Sequence, residues 1–289
     1  MKKDLKFVFF GTSKFSVGVL NTLKEKGFIP LAVVTREDKP QNRGLELAPP
    51  ETKIWADIHG IPVLQPAYLD SEFTKKLKTL DCKLFIVASY GKIIPKEIFE
   101  LPPRKTLNVH PSLLPKLRGA SPIQNTILQG EDVGVTIMEI SEKMDEGSIV
   151  AQKKIEIKDA SPANPPRADV LEELLAKSGG ELLAQILPDW VEGKIKSVAQ
   201  DGNLATYCKK IEKRDAEIHL GDDPLDNLRK VRAYFGWPGT FTIFKNKNGK
   251  EIRIIIRDAE IKDGTFFPTR IIPAGKREMD WTEFLRGNS

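Results

Sequence analysis

The run from Leu5 to Val34, LKFVFFGTSKFSVGVLNTLKEKGFIPLAVV, decides the fold. Leu5 to Phe10 is a short apolar run stopped by Gly11, the pattern of a strand buried on both faces. Phe15, Val19, Leu20 and Leu23 then recur at helical spacing, and Gly27 closes the helix. Ile29 to Val34 is apolar again and predicts a second strand. Strand, helix and strand in this order make a βαβ start, which calls for a parallel sheet. GTSKFS after the first strand lacks the other glycines of GxGxxG, so a nicotinamide site is not expected.

Outward from this unit the alternation continues. Ile61–Leu64, Leu84–Ala88 and Leu107–Val109 are further short strands, separated by helical stretches around Thr52–His59 and Ser71–Leu80. Ala120–Gly130 reads as a helix. Val133–Ile140 and Ile149–Ile157 predict a hairpin around SEKMDEGS, and Ala168–Gly193 is a long amphipathic stretch. A doubly wound, mostly parallel α/β domain is therefore expected over residues 1–190, followed by a polar linker over 191–206. From Tyr207 the texture changes to alternating runs such as TFTIFK and EIRIIIRDAEI, separated by NKNG and KDG turns. That pattern predicts a small β-rich, barrel-like domain over residues 207–289.

Composition narrows the function classes. The chain has 289 residues, enough for two domains. No window approaches eighteen uncharged apolar residues, so no membrane span is expected. The basic start MKKDLKFVFFG carries too short an apolar run for a secretory signal. Cys82 and Cys208 are the only cysteines, which points to a reducing cytoplasm and no structural zinc. Of the net charge of +5, +4 falls between Tyr207 and Ser289, with seventeen Lys and Arg against thirteen Asp and Glu. Clustered cations of this kind attract phosphates. Asp38–Pro50, DKPQNRGLELAPP, is a Pro- and Gly-rich loop with Arg36, Lys39, Arg43 and Lys53 around it, and reads either as a plain surface loop or as a basic finger for a phosphate backbone.

The chemistry concentrates in Thr106–Gln124, TLNVHPSLLPKLRGASPIQ. Asn108 and His110 are two apart on a strand and share one face. Pro111 and Pro115 stiffen the exit and forbid an immediate helix. Asn108 offers an amide N–H to a developing oxyanion, and an imidazole at position 110 exchanges protons near neutrality. Asp145, from the later hairpin, would orient the imidazole and help deprotonate an attacking amine. Ser112 has no GxSxG setting and no local acid, so a serine nucleophile is not expected. Together the three residues fit acyl transfer without a covalent intermediate.

These residues resemble a known family. Asn108-Val-His110, Ser112-Leu-Leu-Pro115, Arg118-Gly119 and Pro122-Ile-Gln124 are similar to the signature of 10-formyltetrahydrofolate-dependent formyltransferases. The resemblance extends to FFGTSKFSVGVLNTL, IVASYGKIIP, TYCKKIEKRDAEI, Val231-Arg232-Ala233 with Trp237-Pro238-Gly239, and KREMDWTEFLRG. Among family members it is strongest to those acting on initiator methionyl-tRNA. It implies a Rossmann-like catalytic domain and an OB-type second domain that binds tRNA. It implies 10-formyltetrahydrofolate as formyl donor, no metal and no obligate protein partner. Asn108, His110 and Asp145 would be catalytic; Ser112, Leu113, Leu114, Pro115, Ala88, Tyr90 and Gly91 would contact folate. Arg36, Lys39, Arg43, Lys53, Lys209, Lys210 and Arg232 would contact tRNA. Leu45 and Glu46 stand where the family often carries basic residues. Two other readings remain at this point: an amino-sugar N-formyltransferase, and a non-catalytic folate- or RNA-binding relative.

Overall fold

The computed structural model describes residues 5–41, 46–158, 160–161 and 164–288. In chain order its elements are β1 (Phe7–Gly11), α1 (Lys14–Glu25), β2 (Ala32–Val34), β3 (Lys39–Gln41), β4 (Glu46–Ala48), α2 (Glu51–Ile58), β5 (Val63–Leu64), α3 (Ser71–Lys78) and β6 (Leu84–Ala88). There follow α4 (Lys96–Phe99), β7 (Thr106–His110), β8 (Arg118–Gly119), α5 (Pro122–Gln129), β9 (Gly134–Glu139), β10 (Ile149–Lys154) and α6 (Ala168–Val191). The chain ends with β11 (Tyr207–Cys208), α7 (Pro224–Ala233), β12 (Phe241–Lys245), β13 (Glu251–Lys262), β14 (Thr265–Pro273), β15 (Met279–Asp280) and α8 (Trp281–Arg286). Among the described residues no helix is long and apolar enough to cross a membrane.

The chain divides into two compact units. The first comprises the residues up to Arg118, Val133–Ile155 and Glu172–Tyr207. Its seven-stranded sheet has the order β10-β9-β7-β6-β1-β2-β5. The five strands from β5 to β7 run parallel, and β9 pairs antiparallel with both β7 and β10. Every residue of β1, β2 and β6 is buried, which is why these strands read as unbroken apolar runs. β2 begins at Ala32 rather than Ile29, because Pro30 has no N–H for the ladder. From β1 the chain moves outward through β2 to β5, then crosses back to β6 and β7. The order thus reverses at β1, and the carboxyl ends of β1, β6 and β7 border the switch point where such sheets take ligands.

Side-chain hydrogen bonds fasten this edge. Ser16 Oγ accepts from the N–H groups of Thr12 and Ser13 at 3.0 and 3.2 Å and donates to the Ala88 carbonyl at 2.6 Å. The start of α1 is thereby tied to the end of β6. Helix α6 approaches the sheet closely at Gly179, where a Cβ would collide with Val109 of β7. In a core cluster Phe10 meets Phe85 at a tilt and Tyr90 edge-on, with ring centroids 5.2 and 5.5 Å apart. The basic loop is not all irregular: β3 and β4 pair as a short antiparallel hairpin, Pro40 opposite Leu47. Arg43, Gly44 and Leu45 lie outside the described residues, as does the side chain of Glu46.

The second unit comprises Gly119–Asp132, Glu156–Leu171 and the chain from Cys208 onward. Its sheet is a four-stranded antiparallel meander, β12-β13-β14-β15. Asp263 and Gly264 join β13 to β14 with φ of 50° and 75°, the two-residue turn that an Asp-Gly pair favours. Helices α7 and α8 accompany the strands of this β-rich segment. Asp223 caps α7, its carboxylate accepting from the N–H groups of Leu225 and Asp226, with Pro224 as the first helical residue. Leu228 and Val231 of α7 and Trp281 and Phe284 of α8 complete the core against Ile254, Ile256 and Ile271. Helix α5 packs against α7 within the same unit.

Candidate active site

Asn108 and His110 occupy the carboxyl end of β7, bonded to β6 on one side and β9 on the other. Among the described residues the Asn108 carboxamide has no hydrogen-bond partner. The His110 side chain is 4% exposed and is gripped at both ring nitrogens. Nε2 lies 3.1 Å from the Leu117 carbonyl, and since a carbonyl only accepts, Nε2 carries the proton there. Nδ1 faces Asp145 Oδ1 at 3.7 Å, an ion-pair distance longer than a hydrogen bond. Leu117 and Asp145 both have positive φ, 60° and 55°. That conformation costs a non-glycine residue on the order of 1–3 kcal/mol. Both residues face the imidazole, Leu117 through its carbonyl and Asp145 through its carboxylate.

The exit from β7 is pinned to the antiparallel strands. Thr136 Oγ1 donates to the Ser112 carbonyl at 2.6 Å and accepts from the Leu114 N–H at 3.1 Å. Gln152 Nε2 donates to the Leu114 carbonyl and to Thr136 Oγ1 at 2.6 and 2.9 Å. Thr136 and Gln152 lie on strands read only for apolar pattern, so the sequence reading passed them over. Ser112 is buried and its hydroxyl donates to the Lys116 carbonyl at 2.7 Å, which leaves it no part as a nucleophile.

The residues expected to line a folate pocket divide by burial. Ala88, Tyr90, Ser112 and Leu114 are at most 3% exposed, whereas Leu113 and Pro115 are partly open. Gly91 has φ 73°, and the Arg36 guanidinium lies where a Cβ would project. Tyr90 sits in the core with its hydroxyl unpartnered, and burial pushes the phenol up to about 12. An unfolded tyrosine ionises at about 10. Between these values the unfolded chain releases a proton that the folded chain keeps, so stability falls as pH rises through the window, by about 2–3 kcal/mol in all. Tyr90→Phe is therefore expected to melt no earlier than the parent at neutral pH and to lose less stability from pH 10 to 12. Parallel melting curves for the two proteins would assign the alkaline loss elsewhere.

The basic residues also divide. A cavity of about 410 Å³ is lined by Arg36, Glu37, Lys39, Ala67, Tyr68 and Lys92. Tyr68 is 78% exposed at its mouth, and Lys92 Nζ donates to the carbonyls of Pro66 and Ala67. The Lys53 side chain is 26% exposed. Its ammonium pairs with Asp38 at 2.7 Å, and Gln65 donates to the same carboxylate; these two hold Asp38 below the usual carboxylate range. Arg232 is similarly paired, with Asp258 at 3.0 Å. Lys209 and Lys210 are exposed, and Arg43 is outside the described residues. Among the described residues no group of three His, Cys, Asp or Glu could hold a metal.

A histidine facing a carboxylate and an unbonded carboxamide therefore share one strand of the parallel sheet, next to its switch point. The class of protein is explicit in the family comparison, where the model described as formyl transferase matches residues 5–173. A methionyl-tRNA formyltransferase of Geobacillus sp. is 35% identical over 98% of this chain and 94% of its own length. The chain belongs to the methionyl-tRNA formyltransferase family. Its fold is similar to that of methionyl-tRNA formyltransferase from Clostridium thermocellum, with TM-score 0.62 and 16% identity over 93% of this chain and 98% of the other. It is equally similar, at TM-score 0.62 and 20% identity, to a sugar N-formyltransferase from a Shewanella species, covering 88% of this chain and 97% of that one. The fold is thus common to enzymes with different acceptors, and the sequence relatives separate them.

Proposed function

We propose that this enzyme moves the formyl group of 10-formyltetrahydrofolate to the α-amino group of methionine on initiator tRNA. The observation that carries the reading is the His110 imidazole, its Nδ1 facing Asp145 beside the unbonded Asn108 carboxamide, in a chain of this family. An α-amino group titrates at about 7.7–8.0 in model peptides, so a neutral fraction is present near pH 7. Its lone pair attacks the formyl carbon, and the carbonyl electrons move to oxygen, where the Asn108 N–H stabilises the oxyanion. The proton shed by the new C–N bond goes to Nδ1 of His110, whose other nitrogen is already protonated; the Asp145 carboxylate stabilises the resulting imidazolium. When the carbon–N10 bond breaks, Nδ1 returns that proton to N10. Formylated amine and tetrahydrofolate leave, and no group on the enzyme is consumed.

The cationic cavity at Arg36, Lys39 and Lys92, with Tyr68 at its mouth, suits phosphates and a stacked base of the acceptor arm. The stretch from Tyr207 to Ser289, with its excess of Lys and Arg, supplies sequence-independent tRNA contacts, for which the exposed Lys209 and Lys210 are better suited than the paired Arg232. Replacing Arg36 and Lys39 together with alanine should flatten the salt dependence of tRNA binding, by roughly 0.7–0.9 in log–log slope for each phosphate the pair neutralises. The KM for the formyl donor should stay unchanged; an unaltered salt slope would remove these cations from the RNA path. The function itself is tested by supplying labelled 10-formyltetrahydrofolate with charged initiator tRNA and, in parallel, an amino-sugar nucleotide. Label is expected on the tRNA. Label on the sugar nucleotide alone would overturn the reading.

A further inference from the structure

The segment Ser197–Thr206, read from sequence as a polar linker, is laid against the catalytic hairpin. Val198 exchanges two backbone hydrogen bonds of 2.8 Å with Ile149, and the Ser197 hydroxyl donates to Glu139. Two residues on, the Gln200 carboxamide reaches the turn that carries Asp145. Its Nε2 donates to the carbonyls of Asp145 at 2.8 Å and Gly147 at 2.7 Å. Its Oε1 accepts from Arg118 Nε at 3.1 Å and Nη2 at 2.8 Å. Arginine only donates and carbonyls only accept, so the carboxamide can face only one way.

Arg118 is itself fixed. Its side chain is 5% exposed, Nη1 donates to the Tyr207 hydroxyl at 3.1 Å, and the same nitrogen lies 3.4 Å from Glu146 Oε1. Tyr207 donates in turn to Glu146 at 3.3 Å. Arg118, Gln200, Tyr207 and Glu146 therefore form one polar network on the turn from Asp145 to Gly147. Asp145 needs such support, because its φ of 55° is unfavourable for a side-chain-bearing residue. A freed turn would relax away from that conformation and carry the carboxylate away from His110.

We propose that Gln200 is a positioning residue: its carboxamide, aimed by Arg118, holds the Asp145–Gly147 turn so that the Asp145 carboxylate faces His110. The proposal rests on the reading of Asp145 as a member of the site. Gln200→Glu keeps the shape and the acceptor toward Arg118 but places an oxygen against two carbonyls. It is expected to lower kcat by about 10- to 100-fold, as displacements of about 1 Å do. The KM for the formyl donor should remain within about threefold and the melting temperature near the parent value. Gln200→Met, uncharged and similar in length, covers the case in which a carboxylate disturbs the fold, and should lose kcat to a similar extent. In an Asp145→Asn background, Gln200→Glu should cost little more, since the group it positions is already gone. A parent-like kcat in both Gln200 variants while Asp145→Asn is slow would overturn the role of Gln200 alone. Multiplied losses in the double variant would do the same. Parent-like turnover in Asp145→Asn would remove Asp145 from the chemistry, and the proposal with it.

Discussion

Asn108→Ala is expected to lower kcat for formyl transfer by about 10²- to 10³-fold, the usual consequence of removing one oxyanion donor. The side chain stands at the end of a central strand whose backbone is bonded on both sides, so its loss leaves the sheet intact. Its carboxamide makes no hydrogen bond to another described residue, so nothing in the resting protein depends on it. The loss should therefore fall on turnover, with the KM for the formyl donor and the melting temperature near parent values. Steady-state kinetics and a thermal melt on one preparation separate these outcomes. A kcat within a few-fold of the parent would remove Asn108 from the site.

Gly147→Ala carries the second large expected effect. A Cβ on Gly147 would fall inside the backbone carbonyl of Glu139, and the neighbouring Glu139 N–H is bonded to the Ser148 carbonyl at 2.9 Å. No side chain can give way there, so the turn itself must move, and Asp145 moves with it. Displacement on the order of 1 Å at a reacting group can cost about 10²-fold in rate. The overpacked hairpin should also lose about 1–3 kcal/mol of stability. Both readouts should change together, in contrast with Asn108→Ala. Parent-like turnover would mean that the turn relaxes without carrying Asp145, contrary to the geometry proposed.

The parallel half of the sheet could be read from sequence because strands buried on both faces write themselves as apolar runs, as in Phe7–Gly11 and Leu84–Ala88. Asn108 and His110 could be paired because a strand places alternate residues together. Other features carry no local periodicity. The hairpin at Lys39–Ala48 includes Pro40, a residue that ordinarily argues against a strand. Helix α7 has few apolar residues, and its one clear signal, Asp223-Pro224, is a cap rather than a pattern. Gly119–Asp132 and Glu156–Leu171 cluster with the C-terminal strands through contacts far apart in sequence, which a reading in continuous segments cannot see. Gln200 stands in a polar stretch without period, and only the fold reveals what its carboxamide holds. The same holds for Lys53, a cation in a basic loop whose pairing with Asp38, itself bonded by Gln65, no local pattern announces.

The central claim is that His110 and Asp145 act as one proton-handling unit on a formyl group bound next to Asn108. Single-turnover transfer from labelled 10-formyltetrahydrofolate to charged initiator tRNA, compared among the parent, His110→Asn, Asp145→Asn and the double variant, tests it most directly. Each single variant is expected to be slower by about two orders of magnitude or more. The double variant should be no slower than the worse single by more than about threefold, because residues acting as a unit are not additive. A parent-like rate in either single variant, or losses that multiply in the double, would contradict the account.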